Sequence, residues 1–513
     1  MSNYENHVQK DLVTDAVFTE ANEEFVLPDY MPEIGRVLRL SACLLPDEPF
    51  LGTEGAEFSG RLEYRLLYSD GEGALTEAPL EGHYRYRVPY KDTHVSVAYT
   101  EELLESAAAR PTAPRKLTVR ARVTARPHLL TEATVGVPLS TLVGNAPAET
   151  KEGRVAVTDR FAVSFGTRRV EGRFAVTDAL PEALTLISVR TDPLIESAEA
   201  RDGYVSVRGK LIACLLLARD GGTPFLQSFS LPFEEELPFE ASAEGDAVTL
   251  QAFAAAPAVS FEEEGADTAV LLDCEYSLSG VLYRARTLPV IKDLYVHGAT
   301  HVIERQTFAG EAFLGAAMGN VTVSAEVPLP ADQKTEGGCL YPLFRVKEMS
   351  ERWQGDRAVT EGTLAVSLIA FGEKGNDVTE LTFPFRAEIS LGTACREGDA
   401  LRVTVTPVGG TAHAAKDSVR LTTELALCAA AFRPDTVELP VSAIKTQDAP
   451  PLDARDITVY YPTDGDTLWT VGKKYALPLS HIKKKNGFPE NGEPEEEETD
   501  SLDGYAYLLI EGL

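Results

Sequence analysis

The side chains best able to do chemistry in this chain are few and scattered. His297-Gly-Ala-Thr-His301 has the i, i+4 spacing of a zinc-binding pair. Such a pair needs a helix to bring both imidazoles to one side, a third ligand, and a carboxylate base if it is to hydrolyse anything. Gly298 argues against the helix and no glutamate stands at the base position, so a loop is expected. Cys43, Cys214, Cys274, Cys339, Cys395 and Cys428 form no Cys-x-x-Cys pair. Zinc knots and disulfide frameworks cluster their cysteines, so these six read as reduced core thiols of a cytosolic protein. There is no Gly-x-x-x-x-Gly-Lys-Ser/Thr phosphate loop and no Gly-x-Ser-x-Gly elbow. Gly315-Ala-Ala-Met-Gly319 lacks the third glycine and the acidic partner of a dinucleotide site. Carboxylates are too numerous to single out a catalytic pair. The expectation is no catalytic residue, no metal ligand and no cofactor.

Recognition is better served than reaction, and most clearly in the last sixty residues. Asp456-Ile-Thr-Val-Tyr-Tyr461 reads as a strand. Asp466 or Thr467 can cap a helix whose stripe is Leu468, Val471, Gly472 and Tyr475, with spacing i, i+3, i+4 and i+7. Gly472 costs about 1 kcal/mol relative to alanine inside a helix, which implies close packing there. A second helix would face it through Leu479 and Ile482, and Tyr505–Ile510 closes the unit as a strand. This βααβ order resembles a LysM module, a small recognition domain without catalytic machinery. The resemblance implies a groove between the loop opening the first helix and the loop before the last strand. Its expected partner-binding residues are Asp466, Thr467, Leu468, Trp469, Ile482 and Asn486, although plain core packing is the other reading of Leu468, Tyr475 and Ile482. Trp353 and Trp469 are the two tryptophans, and Trp469, on the capped helix, is the better contact residue.

Three positions depart from the usual LysM pattern. Pro478 stands where a capping Ser or Thr is common. Lys485 replaces the apolar residue before Asn486. Gly492-Glu-Pro-Glu-Glu-Glu-Glu-Thr-Asp500 lengthens the second loop with four consecutive glutamates. That loop would disturb sugar binding and could meet a basic protein surface, or could simply be a solvated acidic loop.

The body of the chain repeats. Val137-Pro138-Leu139, Leu288-Pro289-Val290 and Leu439-Pro440-Val441 share one pattern, and their prolines recur every 151 residues. Gly60, Gly209 and Gly362 each open an apolar strand, 149 and 153 residues apart. Val88-Pro89-Tyr90, Leu231-Pro232-Phe233 and Phe383-Pro384-Phe385 form a third marker. A period of this length is a whole domain. Alternation in Leu117–Arg126, Tyr204–Arg208 and Leu401–Thr406 marks strands with one wet face, and Asp70-Gly71 and Gly221-Gly222 mark turns. Glu101–Arg110 is the best short helix. The fold expected is mainly β: three tandem β-sandwich-like domains over 1–150, 151–303 and 304–450, then a small α+β (βααβ) LysM-like domain over 455–513.

Composition narrows the partners. Lys plus Arg number 48 against 79 Asp plus Glu, a formal charge of -31. Such a surface repels nucleic acid and anionic lipid. Met1–Asp11 lacks the basic start and apolar run of a signal peptide, and no stretch approaches the roughly 18 apolar residues of a bilayer span. A cytoplasmic location is expected, and no direct transmembrane segment. That sits poorly with a LysM gripping wall glycan.

Near the start, Leu27-Pro28-Asp29-Tyr-Met-Pro32-Glu33-Ile34 has a counterpart in Asp178, Pro181 and Glu182, each 149 residues on. A weaker one is Val327-Pro-Leu-Pro-Ala-Asp332. These residue types suit a turn and cap; partner docking through Leu27, Pro28, Asp29, Pro32 and Glu33 is the functional alternative. With tandem β domains and a terminal LysM, this element makes the whole chain resemble the SipL family of clostridial spore-coat morphogenetic proteins. The resemblance implies an acidic, non-catalytic adaptor in the mother-cell cytoplasm at the forespore surface. Its LysM would dock the SpoIVA-like coat morphogenetic ATPase and promote spore-coat assembly with other coat proteins by protein–protein interaction. The alternative is a peptidoglycan- or glycan-binding LysM protein of the cell envelope.

Overall fold

A computed structural model describes residues 6–13, 15–91, 95–176, 184–219, 222–264, 267–329, 338–372, 375–415, 417–448, 457–488 and 501–512. Strands account for 77% of it and helices for 4%, so the chain is mainly β. Among the described residues, every strand pairing is antiparallel, which suits segments that alternate apolar and polar residues.

The sheets come in pairs along the chain. The first pair uses β1 (Asn6–Val13), β2 (Val17–Val26), β3 (Arg36–Pro46), β4 (Phe50–Leu51), β5 (Gly55–Ser69), β6 (Leu75–Pro89), β7 (Val95–Ala113) and β8 (Lys116–Val135). β3, β5 and β6 form a meander, with β4 beside β5, while β8 lies between β7 and the collinear β1 and β2. A short helix α1 (Leu139–Val143) follows. The second pair uses β9 (Ala148–Val176), β10 (Leu184–Arg201), β11 (Tyr204–Arg219), β12 (Phe225–Pro238), β13 (Ala247–Ala254), β14 (Ala258–Glu264) and β15 (Asp267–Val296). The third uses β16 (Ala299–Pro328), β17 (Cys339–Gln354), β18 (Arg357–Gly372), β19 (Gly375–Ser390), β20 (Ala400–Ala414) and β21 (Ser418–Asp448). Each group has one strand order: a central meander in one sheet, and the last strand between the first and the penultimate in the other. Each group also has its own core, drawn from both of its sheets, around Tyr64 and Leu117, Leu211 and Leu272, and Leu364 and Leu425. The sheets change at residues 144–147 and 297–298, so the expected divisions at 150 and 303 fall inside β9 and β16.

The repeated glycines have a physical reason. Gly60, Gly209 and Gly362 sit mid-strand opposite Tyr84, Phe233 and Phe385. A Cβ there would meet the facing ring at 2.5, 2.5 and 2.8 Å. This register corrects the third marker: the partner of Phe233 and Phe385 in the first group is Tyr84, not Tyr90. The proline marker also splits. Pro289 and Pro440 lie within strands, whereas Gly136, at φ 80°, ends β8 and Pro138 starts α1.

The helix expected over Glu101–Arg110 is a strand, part of β7. Leu103 pairs with Thr124 and Ala107 with Ala121. Cross-strand ion pairs join Glu101 to Arg126 and Glu105 to Arg122, while Glu102 turns inward to accept the hydroxyls of Tyr84 and Tyr86. Pairing along β8 outweighs the helix propensity of Glu, Leu and Ala.

The tail comprises β22 (Ile457–Tyr460), α2 (Leu468–Tyr475), α3 (Leu479–Lys485) and β23 (Leu508–Glu511), with β22 paired to β23. Leu468, Val471, Ile482, Leu502, Leu508 and Ile510 form its core. Among the described residues no helix is long and apolar enough to cross a membrane.

Candidate docking surface on the tail

Local bonding explains the tail's shape. Thr467 caps α2: its hydroxyl accepts the Thr470 amide at 3.1 Å, and its own amide donates to the Thr470 hydroxyl at 2.9 Å. This is a capping box with threonine in place of the usual acid or amide. Asp466 instead anchors the preceding loop, accepting from the Thr463 amide at 2.8 Å and the Tyr460 hydroxyl at 2.7 Å. Those bonds hold its carboxyl below the usual range. Leu468 and Ile482 are buried core. Asn486 clasps β23, donating to the Leu509 carbonyl at 2.9 Å and accepting its amide at 2.6 Å. Lys485 pairs with Glu511.

Trp469 is occupied by the body of the same chain. Its indole N–H donates to Asp293 at 3.0 Å, and its ring meets Tyr295 edge-on at 5.1 Å. Asp293 also accepts Lys473 at 2.7 Å and Arg305 at 2.6 Å. Tyr295 donates to the Leu477 carbonyl at 2.9 Å, and the Gly298 amide to the Ala476 carbonyl at 2.8 Å. Gly472 leaves no room for a side chain because Tyr295 and Leu479 press on it: a Cβ would lie 2.5 Å from the Tyr295 hydroxyl. Pro478 supplies no side-chain cap to α3. Glu149 of β9 takes that place, accepting the Leu479 amide at 3.2 Å.

Of the six residues expected to bind a partner, Leu468 and Ile482 are therefore internal. Thr467, Asp466 and Asn486 have bonding duties within the tail, and Trp469 lies at its junction with β15. Among the described residues, the apolar face left to solvent is the outer side of the β22–β23 ribbon. Ile457 is 53% exposed, Val459 45% and Tyr461 69%, while Thr458 and Tyr460 alternate toward the helices. Val459 stands opposite Leu509, and the exposed Tyr505 and Tyr507 lead into β23. The sequence held a signal for this: Ile-Thr-Val-Tyr-Tyr is apolar on both faces, more than a two-stranded ribbon can cover from one side. Nothing local pointed to Asp293, Tyr295 or Glu149.

The element Leu27–Ile34 forms a braced knuckle. Leu27 and Ile34 are buried, and their amides donate to the carbonyls of Arg115 and Pro114. Arg115 donates to the carbonyls of Pro28 at 3.0 Å and Met31 at 2.6 Å, and Tyr68 to that of Pro32 at 2.9 Å. Pro28, Asp29 and Glu33 stay exposed, and Tyr30 between them is 83% exposed. Asp178, Pro181 and Glu182, residues 330–332 and the acidic loop 492–500 lie outside the described residues.

The groups considered for catalysis are placed otherwise. His297 occupies a turn 3.5 Å from Glu149, and His301 lies in β16. Gly315 and Gly319 lie mid-strand in β16. All six cysteines are free, and burial pushes the Cys43 and Cys428 thiols up to about 12. A cavity of about 620 Å³ lined by all three groups is walled in part by Glu101 and Glu102, which are engaged by Arg126 and by the two tyrosines. Comparison with known proteins matches no family model, no curated protein and no solved structure.

Proposed function

We propose that this chain is a non-catalytic assembly adaptor of the SipL kind. On this reading the three sheet groups are tandem β-sandwich-like domains and the tail is a LysM-like domain. The adaptor works in the mother cell at the forespore surface, where its tail holds a SpoIVA-like coat ATPase and the body offers further contacts to coat proteins. The threefold repetition of one strand order and the βααβ tail support the architecture. The observation that carries the docking role is the uncovered apolar face formed by Ile457, Val459, Tyr461 and Tyr507. Exposed aromatic and aliphatic side chains grouped on a rigid element are the usual anchors of protein recognition.

The reading is tested by affinity capture from sporulating cells with the full chain. Wild type should retain the ATPase. The full-length Val459→Asp, Tyr461→Asp double variant should lose it, as should a chain ending before Ile457. Retention by either, or capture of murein in place of the ATPase, overturns the assignment.

A further inference from the structure

β22 is the one edge strand of the tail that carries neither a charge nor a proline. The meander edges elsewhere in the chain are guarded. β6 exposes Glu81, Arg85 and Arg87 and contains Pro79 and Pro89. β12 exposes Glu234 and Glu236 and contains Pro232 and Pro238. β19 exposes Arg386 and contains Pro384. Such residues are how proteins stop an open edge from recruiting another strand. Ile457-Thr-Val-Tyr-Tyr461 has none of them, pairs on one side only among the described residues, and turns two β-branched residues and a tyrosine outward.

The segment also complements itself. An antiparallel partner centred on Val459 sets Val459 opposite its own copy and Ile457 opposite Tyr461. Thr458 then faces Tyr460 on the inner side. Every outward pair is apolar, two of them β-branched with aromatic, the combination that stabilises neighbouring strands. The arrangement is isologous, so one twofold axis closes it and nothing remains open to continue a fibre.

We propose that two copies of this chain associate by pairing β22 edge to edge about Val459, joining their tail ribbons into one four-stranded sheet, β23–β22–β22–β23. The outer faces of the two tails become one continuous apolar surface twice as wide. The occupant of the edge is thus a second copy, and its recognition needs no other protein. Five residues per copy make this a small contact, so reversible association in the micromolar range is expected.

Sedimentation velocity on the purified full chain tests it. Wild type should show a concentration-dependent dimer. Val459→Lys, which sets two ammonium groups face to face across the axis while leaving the β22–β23 pairing alone, should abolish it. Val459→Cys under mild oxidation should give a dimer with a disulfide joining position 459 of the two copies, located by peptide mass analysis. Val26→Cys, on the first sheet group and more exposed than Val459, should give none. A wild-type chain that stays monomeric, a dimer that survives Val459→Lys, or no cross-link at position 459 overturns the pairing.

Discussion

Asp293 decides how the tail is held. One carboxylate receives an indole N–H, an ammonium and a guanidinium, from residues as far apart in sequence as Arg305 and Lys473. Burial pushes its carboxyl up, but the bonds from Lys473 and Trp469 outweigh that and hold it below the usual range. A carboxylate with a depressed folded value contributes stability that is present above its unfolded value, about 3.9, and lost as pH falls through the folded one. Asp293→Ala should therefore loosen the tail by about 1–3 kcal/mol at neutral pH, read as faster hydrogen exchange at the α2 amides. Acidification should loosen the tail in the wild type, and less in the variant, where only Asp466 of these two depressed carboxylates remains to titrate. Trp469 reports it in a Trp353→Phe background. Unchanged exchange would show that other contacts hold the tail. A cap at Asp466 or Thr467 was legible in the sequence, because a capping partner lies three residues away. Asp293 and Glu149 were not, because only the fold brings them to α2 and α3.

At the scale of elements, spacing was legible and local conformation less so. The glycine period pointed to three copies, and each glycine proves to be the floor on which a cross-strand aromatic ring lies. Gly209 would place a Cβ 2.5 Å from both the Phe233 ring and the Leu194 carbonyl, and backbone cannot give way as a side chain can. Gly209→Val should lower stability by about 1–3 kcal/mol or more, seen as an earlier midpoint in urea. Gly71→Ala, with open space around its Cβ, should leave the midpoint unchanged. Equal midpoints for the two would remove the packing explanation of the period. Glu101–Arg110 misled because its composition favours a helix, while its actual setting, between β8 and solvent, rewards alternation. Tyr90 was matched to Phe233 on a shared Pro-aromatic pair, and only the strand register shows Tyr84 to be the residue that faces the glycine.

At the scale of the whole molecule, the three sheet groups pack against one another through faces that a repeat alone does not reveal. Leu67, Leu216 and Ile369 hold the same place in each meander and meet in one cluster with Leu38, Ile187 and Tyr341. A second junction is charged. Asp11 of β1 receives His128 of β8 at 2.8 Å, Arg160 of β9 pairs with Glu311 of β16, and Arg160 and Arg402 both lie over Phe432, at 4.8 and 5.2 Å. Arg160 is buried, so its charge is tolerable only while its carboxylates are there; Glu311 is 30% exposed and Asp11 also has His128 and Arg402 beside it. Arg160→Met removes the cation, leaving Glu311 without its partner and Asp11 with only His128 and Arg402. The expected loss is about 3–5 kcal/mol. Because the pair bridges the second and third groups, and the Arg160 amide also donates to Gln9 of the first at 2.6 Å, the loss should not stay in β9. Hydrogen exchange followed by mass spectrometry should show peptides from β8, β9 and β16 losing protection together. Loss confined to β9 would mean that the groups fold as separate beads, and that the body presents its tail from a flexible string and not from one interlocked block.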